Sequence, residues 1–502
     1  MTFASWRRRG GGRRRVCALS LLGAAVATGG VLGTLAARQA PRTTLQPAAL
    51  AAESAPVGSA SSSWYCPGAP GPAAREGATR LLLVNAAART VGVTLAVVDS
   101  GGVQRSEALR LGSHTQADLS PGQLVDGAWL AARIEVSGGA VTATELFAGR
   151  AGRAVAPCAS EVSSRWYFAS GSTAEGSSLR VALSNPTPNL AVVDLSFVTS
   201  SGYAAPSPFQ GLVVSPWTMR MVTIGTYVQD QASVATEVAA RSGAVVAGEL
   251  QLYGPRGVAG VALTLGVPSP STRWEVPSAE DATGGASELV VLNPSASSEH
   301  VAVGVRMASG PVEPFTEVLG PQSLWTLPTS RELRIATQEG YSLQVHASGA
   351  GVVVARLGAG APRGPAAWWA EDVSVSSVQT SASHRWVVAS LPAAVPARGR
   401  PSAARAAPTK AAAASPTKSA GVSPPTLVLE NPGRRALRVE VASWLGASRS
   451  SHAVEVPALG TARLAAPSGP AFVQADGPLA VVGDASPAGT SGVVAIPAIP
   501  LG

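Results

Sequence analysis

Lysine is almost absent: the 502 residues contain only Lys410 and Lys418, and arginine supplies the rest of the basic side chains. Aromatic residues are scarce at 5%, and charged residues make up 14%. Leu, Val and Ala still provide an ordinary apolar fraction, so neither an acidic disordered chain nor a collagen-like one fits. Cysteine occurs three times and histidine five times. No CxxC, HExxH or other short metal-ligand spacing is present, which argues against a resident metal. The G-x-S-x-G nucleophile elbow is missing as well. Gly358-Ala359-Gly360, followed by Gly364, has the wrong spacing for a phosphate cradle and reads as a loop. His114, His300, His346, His384 and His452 are dispersed along the chain and read as surface or strand residues. No catalytic residue, metal or cofactor is expected, and the protein is expected not to be an enzyme.

The net charge of +8 is unevenly distributed. Arg7, Arg8, Arg9, Arg13, Arg14 and Arg15 precede the first apolar run, and Arg398, Arg400, Arg405, Lys410 and Lys418 share one linker. Without these eleven cations the remainder carries −3. A slightly acidic folded part excludes the basic footprint of a nucleic-acid binder.

Residues 1–15 form a basic tail, and Val16 to Ala37 is an uncharged apolar run of 22 residues. As a helix it spans about 33 Å, against about 30 Å for a bilayer core. The arginines should stay in the cytoplasm and the rest be exported. The length favours a retained anchor. Cleavage near Thr34-Leu35-Ala36 is the competing fate, and would make the protein secreted rather than single-pass. Residues 38–63, rich in Ala, Pro and Ser, read as a flexible stalk. Outside the apolar run only Cys66 and Cys158 remain, and an exported pair is expected to bridge.

Self-comparison gives the strongest signal. Four segments open on Trp64, Trp166, Trp274 and Trp386, each about one domain apart. Each is followed by a strand ending in Asn85, Asn185, Asn293 or Asn431, with Pro186, Pro294 and Pro432 next and Ala86 the exception. Apolar residues lie two and four positions before each asparagine, and valine lies eight after it (Val93, Val193, Val301, Val439). A spacing of two puts these side chains on one strand face. The asparagine can bond its own backbone two residues on, and proline sets the turn. Later in each repeat a glycine turn separates two apolar strands, around Gly243, Gly349 and Gly477. The expected fold is all-β, with four tandem immunoglobulin-like β-sandwich modules at 64–162, 163–271, 272–383 and 384–502. A four-bladed propeller is the alternative, but its blades are about half this length.

Trp166-Tyr167-Phe168 followed by Gly171 and Thr173, then Leu179 to Pro186, resembles the repeated pattern of the actinobacterial secreted proteins grouped as DUF5719. Cys66-Pro67-Gly68 and Pro157-Cys158-Ala159 are similar too. The resemblance covers most of residues 64–502. It departs at Ala86 and at an insertion in the fourth repeat, and it implies export, a β-sandwich array and envelope association.

That insertion, residues 392–424, is rich in Pro, Ala, Ser and cations and cannot build a core. Glu145, Glu237 and Glu249 sit at similar places in the repeats, which points to architecture. Trp368-Trp369 is not repeated and is the candidate contact for a partner or glycan. The sequence therefore points to a non-catalytic envelope scaffold or binding module. Its expected partners are the membrane and a wall glycan or envelope protein. An accessory subunit of a glycan-assembling or remodelling enzyme is the alternative.

Overall fold

The computed structural model describes residues 51–501, apart from positions 75, 150, 308–309 and 447 and the stretches 255–259, 280–285, 336–340, 360–372, 377–382, 392–424 and 486–493. The basic tail, the apolar run, Trp368-Trp369 and the 392–424 insertion lie outside the described residues.

Module 1 comprises β1 (Ser62–Pro70), β2 (Gly77–Asn85), β3 (Val91–Asp99), β4 (Gln104–Leu111), β5 (Gln116–Leu119), β6 (Trp129–Val136), β7 (Val141–Gly149) and β8 (Gly152–Pro157). They form two antiparallel sheets, ordered β1-β6-β3-β4 and β5-β2-β7-β8. Alternation along the strands turns Trp64, Leu81, Leu83, Val93, Leu95, Ile134 and Val141 into the space between the sheets, where they form one core.

Module 2 repeats the plan with β9 (Arg165–Phe168), β10 (Ser178–Asn185), β11 (Ala191–Thr199), β12 (Gly202–Ala204), β13 (Leu212–Val214), β14 (Thr218–Thr223), β15 (Val234–Ser242), β16 (Val246–Tyr253) and β17 (Gly260–Leu265). Module 3 has β18 (Arg273–Ala279), β19 (Ala286–Asn293), β20 (Glu299–Met307), β21 (Gly310–Pro311), β22 (Phe315–Leu319), β23 (Ser323–Leu327), β24 (Tyr341–Ala347), β25 (Val353–Ala359) and β26 (Val373–Ser376). Module 4 has β27 (Ser383–Val388), β28 (Thr426–Glu430), β29 (Leu437–Leu445), β30 (Ser448–Val456), β31 (Thr461–Ala465), β32 (Ala471–Ala485) and β33 (Val494–Pro500). In modules 1 to 3 one sheet carries the tryptophan strand and the other the asparagine strand; in module 4 the same two layers are joined through β32 and β33 into one seven-stranded sheet.

The plan keeps the immunoglobulin-like interior and exchanges the outer strands. The asparagine strand pairs with the strand equivalent to β5, and the third strand pairs with the sixth. In an immunoglobulin domain the first strand lies beside the second and the last beside the sixth. Here the first strand pairs with the sixth and the seventh with the second. In module 4 the sixth and seventh strands fuse. β32 leaves one sheet after pairing with β29 and joins the other beside β28, so the glycine turn expected at Gly477 is a crossing within a strand. A β-carbon on Gly477 would fall 2.5 Å from Leu437 Cδ2, so a larger residue at the crossing would have to displace that core leucine.

Trp64, Trp166, Trp274 and Trp386 are buried in the four cores. Each indole N–H donates to a main-chain carbonyl across the sandwich: Val141 at 2.9 Å, Val245 at 2.8 Å, Val352 at 2.9 Å and Leu479 at 2.9 Å. The four asparagines are fully buried. Asn293 Oδ1 accepts from the Ser295 N–H at 3.0 Å. Its Nδ2 donates to Ser297 at 2.7 Å, Leu319 at 3.1 Å and Gly320 at 2.7 Å. Asn85, Asn185 and Asn431 make the same reach, to the Gly112, Val214 and Pro457 carbonyls. The amide therefore fixes its own turn and also the turn that enters the fifth strand.

Cys66 and Cys158 are disulfide-bonded, with Cα atoms 4.4 Å apart. The bond lies where β1 meets the chain after β8, beside the Tyr65–Ala159 bridge. At the matching place in module 2, beside the Tyr167–Val267 bridge, stand Phe168 and Gly266. A β-carbon on Gly266 would lie 2.8 Å from Phe168 Cζ, so a ring fills the space that the disulfide takes in module 1.

The stalk expected at 38–63 is packed from its described start at residue 51. Ala51 O accepts from Ser160 N, Ala55 O accepts from Ala140 N, and Ser54 N donates to Pro500 O. Ser54 is 1% exposed. Small side chains let this segment lie between module 1 and the last strand, which composition alone reads as flexibility.

Replacing Asn293 by Ala is expected to destabilise by about 3 kcal/mol, because two turns lose buried bonds and their carbonyls stay buried. Asn189→Ala, at an exposed side chain, should be neutral. Denaturant unfolding of both variants checks this. The Cys66→Ala/Cys158→Ala pair should lose about 4 kcal/mol, since the bond closes a 92-residue loop. An unchanged denaturation midpoint would contradict that assignment.

Candidate functional site at the seams between modules

A sheet with one face in a core still has a second face. In this protein the second faces are used too. The outer face of the tryptophan sheet of one module packs on the outer face of the asparagine sheet of another. Between modules 1 and 2, Ala131 meets Ala182 and Met219. Beside this contact the two asparagine sheets also touch, Phe147, Ala154 and Ala156 meeting Leu250, Val261 and Leu263. Between modules 2 and 3, Tyr167, Val198 and Ala235 meet Leu292, Val353 and Ala355. Between modules 4 and 1, Val387 and Ala389 meet Leu82, Val84, Leu146 and Val155. Gln116 also exchanges two hydrogen bonds with the Ser390 backbone, at 2.7 and 2.9 Å. The last strands β8, β17, β26 and β33 contact one another in a cycle, so the four modules close into a ring.

One backbone device recurs at these seams. In the turn before the fifth strand a non-glycine residue takes positive φ: His114 at 51°, Trp217 at 56°, Gln322 at 45° and Leu459 at 53°. The buried asparagine amide bonds the carbonyls just before it. The left-handed turn projects three of these side chains onto a neighbouring module. His114 stacks on Trp444 of module 4, centroids 3.9 Å apart. Trp217 lies under the Arg133 guanidinium of module 1 at 4.4 Å. Gln322 lines a cleft with Ser196 and Tyr203 of module 2.

The seam between modules 3 and 4 differs. There β18 faces β28 and β32, and its centre is polar. Gln344 Nε2 donates to Glu275 Oε1 at 2.6 Å, and Arg306 Nη2 donates to Gln344 Oε1 at 2.8 Å. Arg306 Nη1 lies 3.4 Å from Glu430 Oε1 and 3.8 Å from Glu275 Oε2. One guanidinium thus serves two carboxyls that are almost sealed from solvent. Burial, and then the charge of Glu275, push the Glu430 carboxyl up to about 8, and Arg306 offsets only part of this. Burial raises Glu275 as well. Within the module interiors, burial alone raises Glu145 to about 8 and Glu249 well above the carboxylate range. Glu145 and Glu249 hold matching places, opposite Leu81 and Val181. Glu237 is placed differently: it pairs with Arg165 at 2.8 Å, half-buried on the face turned to module 3, in the cleft that Gln322 lines.

The residues singled out in the sequence divide accordingly. The four tryptophans, the four asparagines and the disulfide build the modules and converge on no common site. The five histidines are not brought together either, and His114 is a seam contact. Among the described residues no three His, Cys, Asp or Glu side chains are placed to hold a metal ion. Among them, too, no helix is long and apolar enough to cross a membrane. On module 4 the tryptophan sheet extends past its seam, and a cavity of about 450 Å³ opens over Arg438, Glu440, Glu455, Gln474 and Asp476. Arg438 stands opposite Glu455 there, and with Glu440 and Asp476 the lining carries three acids to one arginine.

Glu430 holds its proton to about pH 8 in the folded protein and loses it near 4.5 when unfolded. Its contribution to stability is therefore complete below about pH 4.5 and is lost as pH rises to about 8, at about 1.4 kcal/mol per unit. Glu430→Gln should flatten the fall of melting temperature between pH 5 and pH 8. An unaltered pH slope would show that Glu430 is ionised in the fold.

No curated protein matches the chain. One solved structure that does, described as a tetra-tandem repeat in the extending region of a large adhesion protein, is 12% identical. The alignment covers 86% of this chain and 96% of that one, with a TM-score of 0.11, too low to carry a structural argument. The family model described as "Family of unknown function (DUF5719)" matches residues 132–467, from the sixth strand of module 1 to the fifth strand of module 4, and the chain belongs to that family.

Proposed function

We propose that this protein is a non-catalytic scaffold or binding module of the cell envelope, a ring of β-sandwiches held at the outer face of the membrane by its N-terminal segment. The Cys66–Cys158 disulfide carries this reading, since such a bond persists in an oxidising compartment and not in a reducing cytosol. The arginines at 7–15 before the apolar run at 16–37 agree in direction, since that order puts the C-terminal remainder of the chain outside. The use of both sheet faces, one for the core and one for the seam, supports a structural role: most of each module is committed to building the ring. The exposed edges and the polar face of module 4 are left for contact with a wall glycan or an envelope protein.

Cell fractionation with thiol labelling tests the proposal. The protein is expected with the membranes, with Cys66 and Cys158 resistant to alkylation until reduced, and open to protease added outside wall-stripped cells. A cytosolic protein with both thiols free would overturn it. Stoichiometric recovery with one membrane enzyme would instead favour an accessory subunit of a glycan-assembling or remodelling enzyme.

A further inference from the structure

The outermost strands of the tryptophan sheets are of two kinds. In modules 2 and 3 this edge is broken. β12 and β13 are separated by a segment with Pro206 and Pro208, and β21 and β22 by one with Pro314. Such breaks are a usual defence against pairing between sheet edges. In modules 1 and 4 the edge is continuous: β4 runs for 8 residues and β30 for 9, with no proline, glycine or lysine in either. β30 pairs along its whole length with β29 and with no other described strand. Its residues from Ser448 to Ala453 are all exposed. Its far side is therefore an open row of peptide N–H and C=O groups.

The side chains say what fits that row. Laid antiparallel on its own copy over its full length, β30 is centred on His452. Ser451 then faces Ala453, Ser450 faces Val454, and Arg449 faces Glu455 twice, once at each end of the pairing. The full-length register of β4, centred between Glu107 and Ala108, sets Arg105 against Arg110 instead. Opposite charges directly across antiparallel strands are favourable and like charges unfavourable. Arg449 and Glu455 are exposed and already meet opposite charges within their own sheet: Arg449 pairs with Glu440, and Glu455 stands across from Arg438. Self-pairing therefore extends an alternating row of charge rather than burying an isolated ion.

We propose that β30 is a self-pairing edge, through which two copies of this chain join antiparallel, Arg449 of each facing Glu455 of the other. The contact is isologous, so it closes as a dimer and does not propagate. Two module 4 sheets become one continuous sheet, held by main-chain hydrogen bonds whose register the charges set.

The test uses the full chain in detergent with Cys17→Ser, leaving the native disulfide in place. In the proposed register His452 lies opposite its own copy, with Cα atoms about 4.5–5.5 Å apart, within disulfide reach. Position 450 lies about 14 Å along the strand from its copy, beyond it. His452→Cys should form a disulfide-linked dimer under mild oxidation, and Ser450→Cys should not. Light-scattering mass measured at rising concentration should show the dimer. Glu455→Arg should raise its dissociation constant at least about tenfold, and the Arg449→Glu/Glu455→Arg double exchange should restore it. A monomeric mass at every concentration, equal cross-linking at 450 and 452, or no rescue by the double exchange would each overturn the proposal.

Discussion

The buried asparagine amide is the constraint on which the rest of this structure depends. A strand that ends in the interior leaves its last polar groups without water, and a buried carbonyl must find a donor. Asn85, Asn185, Asn293 and Asn431 solve that locally by accepting from the backbone two residues on. The same side chain then donates to carbonyls from a distant part of the module. Through that second reach it sets the turn before the fifth strand, and with it the positive-φ residue. A device that finishes one strand thereby positions contacts between modules.

Much of this was written in the chain. The Trp-to-Asn register gives the number of modules, and the spacing of two gives the core, because both are repeated four times and depend only on local periodicity. Cys66 and Cys158 pair as their exclusion from the apolar run implies. The closure of the ring was less legible. Its seam residues differ from module to module: an imidazole at 114, an indole at 217, an amide at 322. Repetition therefore gives no help in finding them. One signal was present. Leu81-Leu82-Leu83-Val84 and Leu289-Val290-Val291-Leu292 are apolar without alternation, the mark of a strand buried on both faces. The packed segment from residue 51 was hidden for a different reason. Its alanines and serines bind through their backbones, which composition does not reveal.

Heterologous contacts between like units generate either a closed ring or an open filament, according to the rotation between neighbours. Here the fourth unit returns to the first, and each sheet face inside the ring finds a partner. The seams are unequal in chemistry. Those that join module 2 to its neighbours and module 4 to module 1 rest mainly on apolar contact. The seam between modules 3 and 4 gathers Glu275, Arg306, Gln344 and Glu430 around a single guanidinium. The seams therefore share one plan, but only that between modules 3 and 4 has a buried ion network at its centre among the described residues.

A ring of four modules built from one chain has three covalent connections and four seams. The connection that is missing lies between module 4 and module 1. What crosses this gap is non-covalent: the segment at Ser54 bridged to Leu501, and Gln116 bonded to the Ser390 backbone. Module 2, linked by peptide on both sides, has Phe168 over Gly266 where module 1 has its disulfide. The disulfide does not cross that gap: it closes module 1 on itself, so the module on one side of the gap is covalently fixed from its first strand to its last.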